Sequence, residues 1–300
     1  MKSIQLICLS LFLSAAGLAQ TEKIALWNGP APGTENRENT EQVNANGNVS
    51  QVFQPELTYF PAPNQSSPAP ALLVCPGGGY RNVVMTKEGT RIAEFFQKRG
   101  FAVFVLKYRL APPEAVQDAR RAMRVIRSRA EKYKIDPAKL GVMGFSAGGH
   151  LSANLALNFA ATDLSDDTEK ISARPDFCAP IYGVLEPLNP ANFEPGRYPA
   201  LYAIKSLKDS TASDVPPMFL VHAVDDKTVP VEQSLNFFVT LKAKGIPVEL
   251  HLYEKGGHGF ALEFDRSYAA SWGEAFLLWL KAHGVEPAPT SNPQSPKPTR

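Results

Sequence analysis

The chain has 300 residues, 44% hydrophobic and 20% charged, ordinary values for a folded protein with a sizeable core. Its net charge of +2, from 31 basic and 29 acidic residues, gives no support to a nucleic-acid or membrane-surface role. No run approaches the roughly 20 apolar residues of a membrane span. No Cys/His cluster has zinc spacing, so no metal site is expected.

Residues 1–19 open with one basic residue, Lys2, continue with the apolar stretch Ile4 to Leu13, and close on Gly17-Leu18-Ala19. That order predicts a secretory signal peptide cut near Ala19 and a secreted or periplasmic mature protein of net charge about +1. Cys8 leaves with the peptide. Cys75 and Cys178 remain, both in apolar strand-like runs, and read as two buried free thiols, although an oxidising compartment permits a bridge. Residues 20–55 are largely polar, with Gly, Asn and Glu prominent, and predict an extended arm lying over a domain at 56–285. Residues 286–300, rich in Pro and Ser, predict a disordered tail.

Within the domain, apolar runs at 71–75, 101–106, 139–145, 176–183, 217–223 and 247–254 predict strands. Most are continuously apolar, as strands covered on both faces are. Helical patterns lie between them. In AVQDARRAMRVIRSRAEKY, Val116, Ala119, Met123, Ile126 and Ala130 recur at spacings of three and four, and the arginines fall on the other face, which predicts a solvated basic surface. Strand alternating with helix implies one α/β domain on a mostly parallel central sheet with helices on both faces, and a ligand site at the carboxyl ends of the strands.

The strand 139–145 runs directly into GFSAGGHLSANLALNFA, placing Gly144-Phe145-Ser146-Ala147-Gly148 at a strand-to-helix junction. This is a G-x-S-x-G nucleophile elbow in its required setting. A dinucleotide fingerprint fails on spacing, and the Lys-Ser/Thr of a phosphate loop is absent. A serine hydroxyl needs a base. Of the histidines, His258 follows the last apolar strand in the loop EKGGHGF, where an imidazole can reach over the strand ends. His150 and His222 read as core or supporting residues; His251 and His283 lie away from the strand ends. The acid that fixes the base comes from HAVDDKTVP, which offers Asp225 and Asp226. Adjacent residues of an extended chain point to opposite sides, so only one of them can meet His258.

These motifs, with CPGGGY, KYRLAP and DARRAMRVIRSRAEKYKIDPAKLGVMGFSAGGHL, resemble the α/β-hydrolase superfamily from about Leu57 to His283. Within it they are similar to secreted bacterial esterases of the acetylxylan-esterase and hormone-sensitive-lipase-like groups. The resemblance implies a serine esterase, with no cofactor, acting on a small ester or acylated polysaccharide. It implies Asp226, just before Lys-Thr-Val-Pro, as the acid, with Asp225 forming a turn on backbone amides. It also implies an oxyanion hole from the amides of Gly78, Gly79 and Ala147. Pro76 stands where that group usually carries histidine, leaving open what fixes the loop. Tyr80, Phe145 and Tyr182 are the candidate substrate contacts, although Tyr80 can equally pack beneath the loop. The segment 183–215, with Phe193, Tyr198 and Tyr202, is a candidate cap. A prolyl-oligopeptidase-type exopeptidase, or a non-catalytic carbohydrate-binding relative, is the alternative. The first usually carries a large extra domain for which there is no room, and the second does not need an intact Ser, His and Asp.

Overall fold

The computed structural model describes residues 21–63, 67–162, 167–185, 214–263, 265 and 267–288. The expected signal peptide, the aromatics Phe193, Tyr198 and Tyr202, and the tail from 289 onward lie outside the described residues.

The elements in chain order are β1 (Glu22–Ala25), β2 (Gln42–Val43), β3 (Val49–Ser50), β4 (Glu56–Phe60), β5 (Ala69–Cys75), β6 (Asn82–Val83), α1 (Arg91–Gln97) and β7 (Ala102–Lys107). They continue with α2 (Pro112–Ser128), α3 (Ala130–Tyr133), β8 (Ile135–Phe145), α4 (Ala147–Asn158), β9 (Cys178–Ile181), β10 (Met218–Ala223), α5 (Glu232–Ala243), β11 (Val248–Tyr253) and α6 (Trp272–Ala282). Among the described residues, eight strands form one sheet in the order β1-β4-β7-β5-β8-β9-β10-β11. Strands β7 through β11 pair in parallel, while β4 and β1 close one edge antiparallel.

Strand periodicity explains the two-sided core. In β5, Ala71, Leu73 and Cys75 join one hydrophobic cluster, and Leu72 and Val74 join the other. Helices α2, α4 and α5 cover the first face through Met123, Leu151 and Phe237; α1 and α6 cover the second through Phe96 and Trp272. Cys75 and Cys178 are both free and buried. The strand at 176–183 is shorter than its apolar run, because the chain turns out of the sheet at Tyr182, whose φ is 38°.

One expectation is corrected. The arginines of α2 are not a solvated face: Arg120, Arg121 and Arg124 are buried. The arm and the segment before β9 lie across them. Arg121 Nε donates to the Leu26 carbonyl at 3.1 Å and its guanidinium lies 5.1 Å from the Trp27 ring centre. Arg124 Nε donates to the Ile171 carbonyl at 3.1 Å, and Nη1 pairs with Glu169 at 2.9 Å. Sequence periodicity identified the non-core face but carried no sign of the polypeptide that covers it.

The arm is stitched down at several points. Strand β1 extends the main sheet through β4. Trp27 Nε1 donates to the buried Asp118 at 3.1 Å, and Lys107 pairs with Glu41 at 2.7 Å. Strands β2 and β3 form a small antiparallel sheet with β6, which lies just after the triple glycine.

Candidate active site

Ser146 stands between β8 and α4 with φ 53° and ψ −117°, a conformation that costs a non-glycine residue of order 1–3 kcal/mol. The turn is held because the chain passes closely on both sides. A Cβ on Gly144 would fall 1.9 Å from the Gly148 carbonyl oxygen, and one on Gly148 would fall 1.9 Å from that of Cys75. The Ser146 amide is fixed to the Ile181 carbonyl at 3.0 Å. Its hydroxyl therefore stands clear of the sheet at the start of α4, where unpaired amides and the helix dipole favour negative charge.

The structure brings Ser146, His258 and Asp226 into one chain of hydrogen bonds. Ser146 Oγ lies 2.9 Å from His258 Nε2, and His258 Nδ1 lies 2.6 Å from Asp226 Oδ2. Asp226 Oδ1 accepts the amides of Thr228 at 2.8 Å and Val229 at 2.9 Å, so the carboxylate is locked in the turn after β10. Burial by itself raises the Asp226 pKa. The bonds from His222, His258 and the Val229 amide outweigh that effect and hold the carboxyl well below the usual range. An ionised Asp226 accepts at Nδ1–H, which leaves His258 Nε2 as the lone-pair atom facing the serine.

Asp225 turns the other way and accepts the amides of Gly256 at 2.9 Å and Gly257 at 2.7 Å, anchoring the loop that carries His258. His222 is fully buried behind Asp226, its Nε2 3.3 Å from Asp226 Oδ2 and 3.0 Å from the Val229 carbonyl, with Nδ1 2.8 Å from Ser234 Oγ. His150 is also buried, with Nδ1 2.8 Å from the Tyr80 hydroxyl. His251 pairs with Glu249 on the edge strand and His283 caps α6, both remote from the serine in the fold.

The triple-glycine loop follows β5 and runs alongside the elbow. Gly78 and Gly79 have φ of 127° and 63°, and a Cβ on Gly78 would lie 2.0 Å from the Asn82 carbonyl oxygen. Their amides donate no hydrogen bond to any described residue, and Ala147 is the first residue of α4, where an amide lacks an intrahelical partner. What fixes the loop in the absence of a histidine is a set of local bonds. The Tyr108 hydroxyl donates to the Pro76 carbonyl at 2.6 Å, and the Gly77 amide donates to Glu88 at 2.8 Å. The Gly77 carbonyl accepts from Val84 at 3.0 Å, and the Gly78 carbonyl accepts from Arg81 at 3.1 Å and Asn82 at 3.3 Å.

The candidate substrate contacts separate. Tyr80 is partly exposed beside the loop, its ring edge-on to Tyr108. Phe145 and Tyr182 are fully buried and pack beneath the site, with ring centres 5.9 Å apart, so neither lines an opening to it. The apolar strand ends they occupy turn inward to the face covered by α6, where Phe145 meets Trp272. Sequence reasoning missed Glu88, Tyr108 and Ser234, whose partners are distant in sequence and leave no local pattern. A cavity of about 270 Å³ between the arm and the start of α2, lined by Arg37, Gln51, Phe53, Arg109 and Glu114 among others, contains none of the residues around Ser146. Among the described residues there is no cluster of three or more metal-ligating acidic, His or Cys side chains.

Known proteins match this architecture. Residues 58–207 match the BD-FAE family, and residues 196–282 match the dienelactone hydrolase family. The acetyl ester-xyloside bifunctional hydrolase of Caldicellulosiruptor lactoaceticus is 31% identical, with a TM-score of 0.73 over 88% of this chain and 97% of that one. The endo-1,4-beta-xylanase B of Butyrivibrio fibrisolvens is 32% identical over 81% of this chain, and the acetylxylan esterase of Xylanibacter ruminicola is 28% identical over 78%. The chain spans 40% and 50% of the lengths of those two relatives. The strand order, the elbow and these matches together place the chain in the BD-FAE family of the α/β-hydrolase superfamily.

Proposed function

We propose that the protein is a serine carboxylesterase that removes short acyl groups, acetyl foremost, from an acylated plant polysaccharide such as xylan. The observation that carries the chemistry is the 2.9 Å approach of Ser146 Oγ to a His258 whose other nitrogen is held by Asp226. As Ser146 attacks the ester carbonyl, its proton passes to His258 Nε2 and the new oxyanion is stabilised by the amides of Gly78, Gly79 and Ala147. The tetrahedral intermediate collapses, the C–O bond to the alcohol breaks, and His258 returns the proton to the leaving oxygen. Water then attacks the acyl-serine with His258 again as base, releasing the carboxylic acid and restoring the hydroxyl. Asp226 stays ionised throughout and stabilises the transient imidazolium.

The acetyl and xylan preference rests on what the relatives named above are called, and export on the apolar stretch Ile4 to Leu13 with its small-residue end. A panel of nitrophenyl esters from acetyl to octanoyl, with acetylated xylan and a feruloyl ester, tests the substrate. Highest kcat/KM on acetyl, with acetate released from xylan, is the expected result; preference for octanoyl rejects the carbohydrate reading. Recovery from the export compartment of a chain beginning near residue 20 tests secretion.

A further inference from the structure

Beneath the glycine loop lies a buried acid that takes no part in the steps above. Glu88, 4% exposed, sits in the π-helical turn Thr86–Thr90. Its Oε2 accepts the Gly77 amide at 2.8 Å and its Oε1 accepts the Tyr182 hydroxyl at 3.0 Å. That hydroxyl itself accepts the Ala261 amide at 3.2 Å, so its own hydrogen is the one directed at Glu88. Ala261 is close behind His258 in the same loop, and the Tyr182 ring stands edge-on to the His258 imidazole with centres 5.2 Å apart. The packing leaves no slack: a Cβ on Gly77 would lie 2.6 Å from Glu88 Oε2 and 2.6 Å from the Phe145 carbonyl oxygen.

Both carboxylate oxygens thus face donors, which is the bonding pattern of the ionised form. Burial raises the Glu88 pKa, offset in part by the Gly77 amide, the Tyr182 hydroxyl and the Lys87 ammonium, with the His258 imidazolium adding to them when it forms during turnover. A buried charge is a poor way to gain stability, because desolvation consumes most of what its bonds return. Its value here is geometric. One rigid planar group spans from the loop that offers oxyanion donors to the tyrosine that supports the loop of the base.

We propose that Glu88 is a positioning residue for ester hydrolysis, tying the Gly77 end of the oxyanion loop through Tyr182 to the His258 loop so that donors and base keep one fixed relation. This rests on the Ser146–His258 reading. The test is steady-state hydrolysis of p-nitrophenyl acetate by the full chain and by Glu88→Gln, Tyr182→Phe and the double variant, with thermal midpoints measured alongside. Glu88→Gln is expected to lower kcat about 10- to 100-fold, part of the roughly 100- to 1000-fold that loss of an oxyanion donor costs, with KM within about twofold. Tyr182→Phe lowers kcat less, and the double variant falls no further than Glu88→Gln, since both break one connection. Phe101→Leu, a core change away from the site, lowers the thermal midpoint without lowering kcat.

An unchanged kcat in Glu88→Gln, an equal loss in Phe101→Leu, or fully multiplicative losses in the double variant overturns the positioning role. If Glu88→Gln does not fold, an unchanged kcat in Tyr182→Phe overturns it instead. Ser146→Ala separates the two levels: full turnover by that variant, or none by the wild type, removes the esterase reading and this proposal together. An inactive Ser146→Ala beside an intact Glu88→Gln removes the positioning role alone.

Discussion

Asp225 and Asp226 are neighbours with the same side chain, and their backbone setting gives them different work. Asp226 directs one oxygen to His258 and the other to the Thr228 and Val229 amides; Asp225 holds the amides of Gly256 and Gly257. Asp226→Asn keeps the volume but offers an amide N–H2 or a weaker neutral acceptor to His258. The imidazole then loses the partner that fixes its tautomer and stabilises its charged form. Activity on p-nitrophenyl acetate is expected to fall about 1000- to 10,000-fold in kcat, as it does when the equivalent acid of a Ser-His-Asp protease is changed to Asn. Asp225→Asn still presents an oxygen to the glycine amides, so its loss is expected to stay within about tenfold, consistent with a neutral in place of a charge-assisted hydrogen bond. Equal losses in the two variants would reject the assignment. The elbow and the two loops were legible in the sequence, because they are short motifs whose chemistry is local, but the residues alone left Asp225 and Asp226 open and only the family resemblance favoured Asp226. The burial of Phe145 and Tyr182 was not, since it depends on α6 and the loop after His258 packing over strand ends far away in sequence.

At the scale of elements, the arm matters through a connection that composition did not reveal. Val49 in β3 pairs with Val43 on one side and Val83 on the other, and Ser50 pairs with Asn82, so the arm is hydrogen-bonded to the return limb of the glycine loop. The Gly78 carbonyl takes its bonds from Arg81 and Asn82 within that same limb. A polar, aperiodic stretch reads as a covering strand of chain, and two-residue pairings are too short to leave a period. Proline at Val49 removes the backbone donor from the middle strand of the small sheet. If the arm positions the loop, Val49→Pro lowers kcat about 10- to 100-fold with little change in KM, the scale expected when reacting groups shift by about an ångström. An unchanged kcat with a lowered thermal midpoint would show the arm to be cover only. Arg121 and Arg124 of α2 follow the same logic: they bond to the Leu26, Ala161 and Ile171 carbonyls and to Glu169, supplied by segments that cross the helix from elsewhere.

At the scale of the whole molecule, the two buried thiols, Cys75 and Cys178, report on how far the fold opens as one unit. Cys75 ends β5 in the middle of the sheet, and Cys178 begins β9 beyond β8, both without exposed surface. Burial pushes the Cys75 thiol well above its ordinary range and pushes Cys178 up to about 12, the Ser152 hydroxyl offsetting only part of the rise. The thiolate is the reactive form, so a raised pKa and full burial act in the same direction: at pH 7 to 8 both groups stay protonated and out of reach. Neither lies in a loop that can open by itself, and labelling should require loss of the central sheet. In the native protein, a maleimide or aromatic disulfide reagent is expected to leave Cys75 and Cys178 unmodified over hours at pH 8, and both should react at once in denaturant. Peptide mapping by mass spectrometry resolves them from Cys8. Their labelling rates in intermediate denaturant should coincide, because β5, β8 and β9 are adjacent in one hydrogen-bonded sheet and expose their thiols together. Faster labelling of Cys178 alone would mean that the half of the sheet carrying β9, β10 and β11, and with it the loops of Asp226 and His258, opens independently of the half that carries the glycine loop.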